Sequence, residues 1–200
     1  MDRLTRNHRR AGLRSMNGFQ TTTHGFNSFG FTTVGRMDGT RNPDLPDIIL
    51  IDHPENHCFG CSPHNARGLK LVWQRNGDGV VSHYTSAEHL CGAPGVIHGG
   101  VQAALLDETI GVAIHHAFGD PDNFFLVTAT FDLKYKRPAP TGEQLVLSGR
   151  FERQEGRNYF ASGEIRNREG ALLTSASARW VQMKLPETKS GQLLNRRASS

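Results

Sequence analysis

No run of about eighteen apolar residues occurs in this 200-residue chain, which excludes a membrane-spanning helix. The longest apolar stretch, Val101 to Phe118, is interrupted by Asp107, Glu108, His115 and His116. Cysteine is scarce: Cys58, Cys61 and Cys91 are too few and too uneven for a disulfide framework, which fits a reducing compartment. Apolar residues make up 36% of the chain, little for its length, so part of it is expected to stay outside a packed core. No glycine-rich phosphate loop, nucleophile elbow or dinucleotide fingerprint is present. Lysine is absent from residues 1–36, where six arginines oppose one acid for a net charge of +5. The whole chain is +4, which leaves residues 37–200 at −1. Nucleic-acid binding normally needs a basic face on the folded part, and that support is missing.

What is present divides the chain in three. Residues 1–47 are rich in Gly, Thr, Asn and Arg without sustained periodicity, and read as a disordered or targeting tail. Their arginine-rich, acid-poor start suits a mitochondrial transit peptide; a true start at Met16 or Met37 is the competing reading. A cytoplasmic location is expected, with a mitochondrial one as the alternative. Residues 48–184 hold the folded domain, and residues 185–200 form a polar tail. Within the domain, Leu69–Arg75 and Val80–Thr85 alternate as strands around an Asn76-Gly77-Asp78-Gly79 turn. A Gly/Pro/Cys loop, Ala87–Ile97, leads to an apolar helical stretch, Gly99–Phe118. Four further strands follow at Leu126–Arg137, Gln144–Arg153, Asn158–Asn167 and Ala171–Met183. Short turns make the later strands antiparallel neighbours. A helix apolar nearly all round must be covered on every side. The expected fold is therefore α+β: one long central helix wrapped by a curved antiparallel sheet of about six strands, with a second copy of the chain closing what is left.

Asp107 is the residue out of place. Its helical neighbours Ala103, Ala104, Ile110 and Gly111 are small or apolar, and burying an ionised carboxylate unpaired costs several kcal/mol or more. It is expected to line a substrate cavity, with Ala103, Ala104 and Gly111 leaving room beside it. Glu108 points about 100° away, where a structural contact with His115 is expected. His98-Gly99-Gly100 opens the helix, and free N–H groups there favour developing negative charge. The cluster His57-Cys58-Phe59-Gly60-Cys61-Ser62-Pro63-His64 has Cys-x-x-Cys spacing. No second pair follows at the usual distance, so it reads as structural packing and no metal is expected.

His98-Gly99-Gly100 followed by six residues and Asp107 resembles the signature of hotdog-fold acyl-CoA thioesterases of the PaaI-like type. Gly92–Gly100, Thr128–Pro138 and Glu155-Gly156-Arg157 are similar to the thioesterase-superfamily group that includes the mitochondrial carboxy-terminal modulator protein. Cys58-Phe59-Gly60-Cys61 with Asn65 and Gly68-Leu69 resembles the opening of many bacterial members. The resemblance spans roughly residues 57–183 and implies the hotdog fold. It implies hydrolysis of an acyl-CoA thioester, with Asp107 as general base or nucleophile. Gly99 would supply the oxyanion N–H with Gly100 beside it, His98 would hold the loop, and Thr128 would orient the water. The resemblance also implies that the cavity lies between two subunits of a homodimer or homotetramer, and it calls for no cofactor.

The strand from Val127 is expected to alternate cleanly. Val127, Ala129, Phe131, Leu133 and Tyr135 would face the helix, and Thr128, Thr130, Asp132, Lys134 and Lys136 the other side. Lys134, Lys136 and Arg157 match positions that contact the coenzyme portion, whose phosphates need charge-assisted partners; solvated edge-strand lysines are the plainer reading. A non-catalytic acyl-CoA-binding regulatory module is the alternative function. Hydratase chemistry is disfavoured, because the nearest histidine after Asp107 is His115.

Overall fold

The computed structural model describes residues 48–52, 54–118 and 125–183. The tails, and with them the transit-peptide and start-site readings, lie outside the described residues. The elements are β1 (Ile48–Ile49), β2 (Trp73–Asn76), β3 (Gly79–Thr85), β4 (Cys91–Ala93), β5 (Val96–Ile97), α1 (Gly99–Phe118), β6 (Phe125–Tyr135), β7 (Gln144–Glu155), β8 (Asn158–Arg166) and β9 (Leu172–Met183). All but β4 and β5 form one seven-stranded sheet in the order β1-β2-β3-β7-β8-β9-β6. Every pairing in it is antiparallel.

The helix begins and ends where the apolar pattern does. Leu105, Leu106, Ile110, Ala113 and Ile114 are fully buried against β3, β7, β8 and β9, each large aliphatic contributing roughly 1.5–3 kcal/mol of burial. Gly111 to Ile114 of α1 are buried, while an open stripe runs along its first half through Gly100, Ala103, Ala104 and Asp107, none of them fully buried. Two polar networks fix the helix in register. Trp73 Nε1 donates to Thr109 Oγ1 at 3.2 Å, which donates to the Leu105 carbonyl at 2.7 Å. Gln102 Nε2 donates to the Ile97 carbonyl at 2.9 Å, while its Oε1 accepts from Thr174 Oγ1 at 2.5 Å.

Three expectations change. The strand expected over Leu69–Arg75 starts only at Trp73. Lys70 takes φ 54°, and the amides of Leu69 and Leu71 bond to the Phe59 and Gly60 carbonyls. Residues 56–71 therefore form a strap rather than an extended strand. A two-residue strand, β1, is added beside β2. The space expected at Gly111 is filled, since a Cβ there would lie 2.8 Å from the Trp180 ring.

Helix and sheet approach closely at Gly149 of β7, where a Cβ would stand 2.6 Å from the Thr109 carbonyl oxygen. That neighbour is backbone, so the helix itself must move to admit a methyl group. Gly149→Ala is expected to lose about 1–3 kcal/mol through overpacking. Urea unfolding measures it, and an unchanged midpoint would show that α1 is free to lift.

Candidate active site

Asp107 and Thr128 meet. Thr128 Oγ1 donates to Asp107 Oδ1 at 2.7 Å, joining the helix to β6 at the open stripe. Burial raises the Asp107 carboxyl above the usual carboxylate range, and the Thr128 hydroxyl partly offsets this. The contact contradicts the clean alternation expected for β6. Thr128 and Tyr135 are of opposite parity, yet both reach α1, since Tyr135 Oη donates to the Gly99 carbonyl at 2.9 Å. A bulge resolves the conflict. Thr128 pairs with Trp180 and Thr130 with Arg179, leaving Ala129 without an opposite residue. Two residues against one reverse the strand's facing from that point on.

At the helix start, the first four N–H groups have no intrahelical acceptor. The Gly100 amide donates to His98 Nδ1 at 2.9 Å, and the Val101 and Gln102 amides donate to the His98 carbonyl. The Gly100 amide, expected on the substrate side, is thus already engaged. No acceptor for the Gly99 amide is found among the described residues. An accepting Nδ1 places the ring proton of His98 on Nε2, so His98 holds the turn from both its ring and its carbonyl.

The three cationic positions do not converge within one chain. Lys134 is exposed, 3.8 Å from Asp132, and pairs across to Ser175 of β9. Lys136 donates its amide to the Leu173 carbonyl. The Arg157 carbonyl accepts from the Gln182 amide, at the opposite end of β9. Seven residues of strand separate Ser175 from Gln182, roughly 23 Å.

Three contacts were not foreseen from the sequence. Tyr135 anchors the His98–Gly100 turn through its hydroxyl. Trp180 lies on Gly111 with a buried Nε1 that has no acceptor among the described residues. Glu108 finds Cys58 as its partner, where the sequence suggested His115: Cys58 Sγ and Glu108 Oε1 share a hydrogen bond of 3.0 Å. Burial and the Cys58 contact push the Glu108 carboxyl up to about 8. The hydrogen bond from Cys61, with Glu108 adding to it, pulls the Cys58 thiol down to about 5, and Cys61 as its donor moves up. A carboxylate following another acid in an apolar helix, fifty positions from a Cys-x-x-Cys, carries no local signal for this pairing.

Residues 94–174 match the family model described as thioesterase superfamily. Over 105 residues the chain is 30% identical to acyl-coenzyme A thioesterase THEM4 of Xenopus laevis, covering 52% of this chain and 45% of that protein. The chain thus spans less than half the length of this curated relative. A crystal structure of a thioesterase superfamily protein superposes with a TM-score of 0.56 at 32% identity, over 62% of this chain and 60% of the other. The PaaI protein of the E. coli phenylacetic acid degradation operon superposes with a TM-score of 0.51 at 16% identity, over 57% of this chain and 80% of that one, a likeness of fold alone. The long helix laid on its antiparallel sheet is the fold shared with these structures, and residues 94–174 are the part of the chain that matches the thioesterase superfamily model.

Proposed function

We propose that the chain hydrolyses an acyl-CoA thioester to the free acid and CoA. The observation that carries this reading is the 2.7 Å contact of Thr128 with Asp107, a hydroxyl holding a half-buried carboxylate at the open stripe of α1. Asp107 removes a proton from water as the water attacks the thioester carbonyl; alternatively it attacks the carbonyl itself and the resulting anhydride is hydrolysed. The Gly99 N–H receives the oxyanion. The C–S bond then breaks, and the departing thiolate takes up the proton released from water. Thr128 orients the carboxylate and the water it activates.

Asp107 and Gly99 of one chain do not serve the same carbonyl. Eight residues of helix separate them by about 12 Å along the axis. A nucleophile about 3–3.5 Å from the carbon and a donor about 3 Å from the oxygen leave a span well below that. A two-fold dimer removes the difficulty, because Asp107 of one protomer then faces Gly99 of its partner, twice per dimer. Support comes from β6, which borders Asp107 and pairs with β9 at one edge of the sheet. Its eleven residues form a long edge strand, of the kind proteins normally cover or pair. Lys134, Lys136 and Arg157 are assigned to the coenzyme phosphates on the same basis, with the two ends of the sheet supplied by different protomers.

Asp107→Asn is expected to lower kcat for thiol release from acyl-CoA by about 10²–10⁴-fold with the fold retained; an unchanged rate removes Asp107 from the chemistry. Thr128→Ala is expected to lower kcat by a smaller factor, and a rate equal to that of the parent chain returns Thr128 to a structural role. Sedimentation of the full chain is expected to give a dimer or a pair of dimers; an active monomer would refute the shared site.

A further inference from the structure

One cluster lies outside the thioesterase reading. The strap 56–71 brings Cys58 and Cys61 against the face of α1 that carries Glu108. The two sulfurs and a Glu108 carboxylate oxygen lie within 4.8 Å of one another. Ligand atoms around a tetrahedral ion with metal–sulfur bonds of ≈ 2.3 Å and a metal–oxygen bond of ≈ 2.0 Å stand about 3.5–3.8 Å apart, within reach of a small side-chain adjustment. We propose that Cys58, Cys61 and Glu108 bind a divalent transition-metal ion of the zinc class, with a fourth position left to water.

Four independent features point the same way. The sulfurs are supplied with N–H donors: the Gly60 amide donates to Cys58 Sγ at 3.3 Å and Asn56 Nδ2 to Cys61 Sγ at 3.8 Å. Such donors stabilise thiolates, the form in which cysteine binds a metal. Next, the strap is built around the carboxylate, since a Cβ on buried Gly60 would stand 2.1 Å from Glu108 Cγ. Only glycine inside this Cys-x-x-Cys lets Glu108 reach the sulfurs. Two thiols and a carboxyl meet here with their donor atoms within 4.8 Å of one another, and a divalent cation would offset the charge the trio carries once its protons are displaced. Finally, the donor set is selective, because two soft thiolates with one carboxylate suit zinc over magnesium or calcium.

The sequence reading sought a second cysteine or histidine pair nearby. His57 is exposed and His64 Nε2 is bonded to Asp52 Oδ1 at 2.8 Å, so neither nearby histidine serves as the third ligand. The helix supplies it instead. On binding, the ion replaces the protons held by the trio and ties the strap to α1 one residue from Asp107.

The full chain, purified without chelator and kept reduced with a phosphine, is expected to retain zinc in equimolar amount by elemental analysis. Cobalt(II) added to the stripped, reduced chain is expected to give a thiolate-to-cobalt charge-transfer band and to raise the midpoint of thermal unfolding. Glu108→Gln should weaken zinc by more than the roughly 10–100-fold that losing an outer-shell partner costs, and the double change Cys58→Ser, Cys61→Ser should abolish the band. Asp107→Asn is expected to bind zinc as the parent does, which separates this proposal from the thioesterase reading. Reduced parent chain showing neither retained zinc nor a cobalt band overturns the proposal, whatever the variants do. Unchanged affinity in Glu108→Gln overturns the three-ligand site.

Discussion

The hydrogen bond from Thr128 to Asp107 depends on a single extra residue in one strand. With strict alternation along β6, Thr128 would face away from the helix while Tyr135 faced it, and only one of the two contacts with α1 would exist. The bulge at Ala129 permits both. One half of β6 then presents Thr128 to the acid, and the other half presents Tyr135 to the His98–Gly100 turn. The same strand thereby sets both ends of the open stripe on which the proposed chemistry runs, and bulges commonly re-aim side chains beside such sites.

Asp107 and Glu108 are chain neighbours with opposite surroundings. About 100° of helix rotation turns one carboxylate toward β6 and the other toward the strap. Each is raised by burial, but Asp107 meets a hydroxyl while Glu108 meets thiols. Two like charges on consecutive residues of an apolar helix would be costly if both faced one apolar surface. Separating them, one against a hydroxyl and the other against sulfurs, makes the pair tolerable.

The helix was fully legible because its apolar pattern, the glycines that open it and its length agree at every level. The antiparallel order of β7, β8 and β9 followed from turns at Gly156 and Gly170, both of which take positive φ. Asp107 was legible as an acid among small residues, and Thr128 through the resemblance. Other features were not. A bulge has no composition of its own, so the facing of Thr128 was misread from alternation that looked regular. Leu69 and Leu71 alternate like a strand, but their amides bond to the loop behind them, and Lys70 adopts the left-handed region without the glycine that would have signalled it. The small residue at Gly111 suggested a cavity, whereas a tryptophan from β9 fills that space. Glu108 and the two cysteines meet only through tertiary folding, beyond the range of any local motif.

The order of strands carries a consequence for how the chain assembles. β7, β8 and β9 form a meander of sequential neighbours, while β3 meets β7 only after all of α1 and β6 have intervened. Local pairings close cheaply and distant ones late, because the entropy of the intervening loop must first be overcome. The seam between β3 and β7 lies under the helix, with Val80 opposite Gly149 and Gly149 beneath Thr109. Joining the two halves of the sheet and seating the helix therefore involve the same residues, and whatever parts β3 from β7 also unseats the helix that carries Asp107.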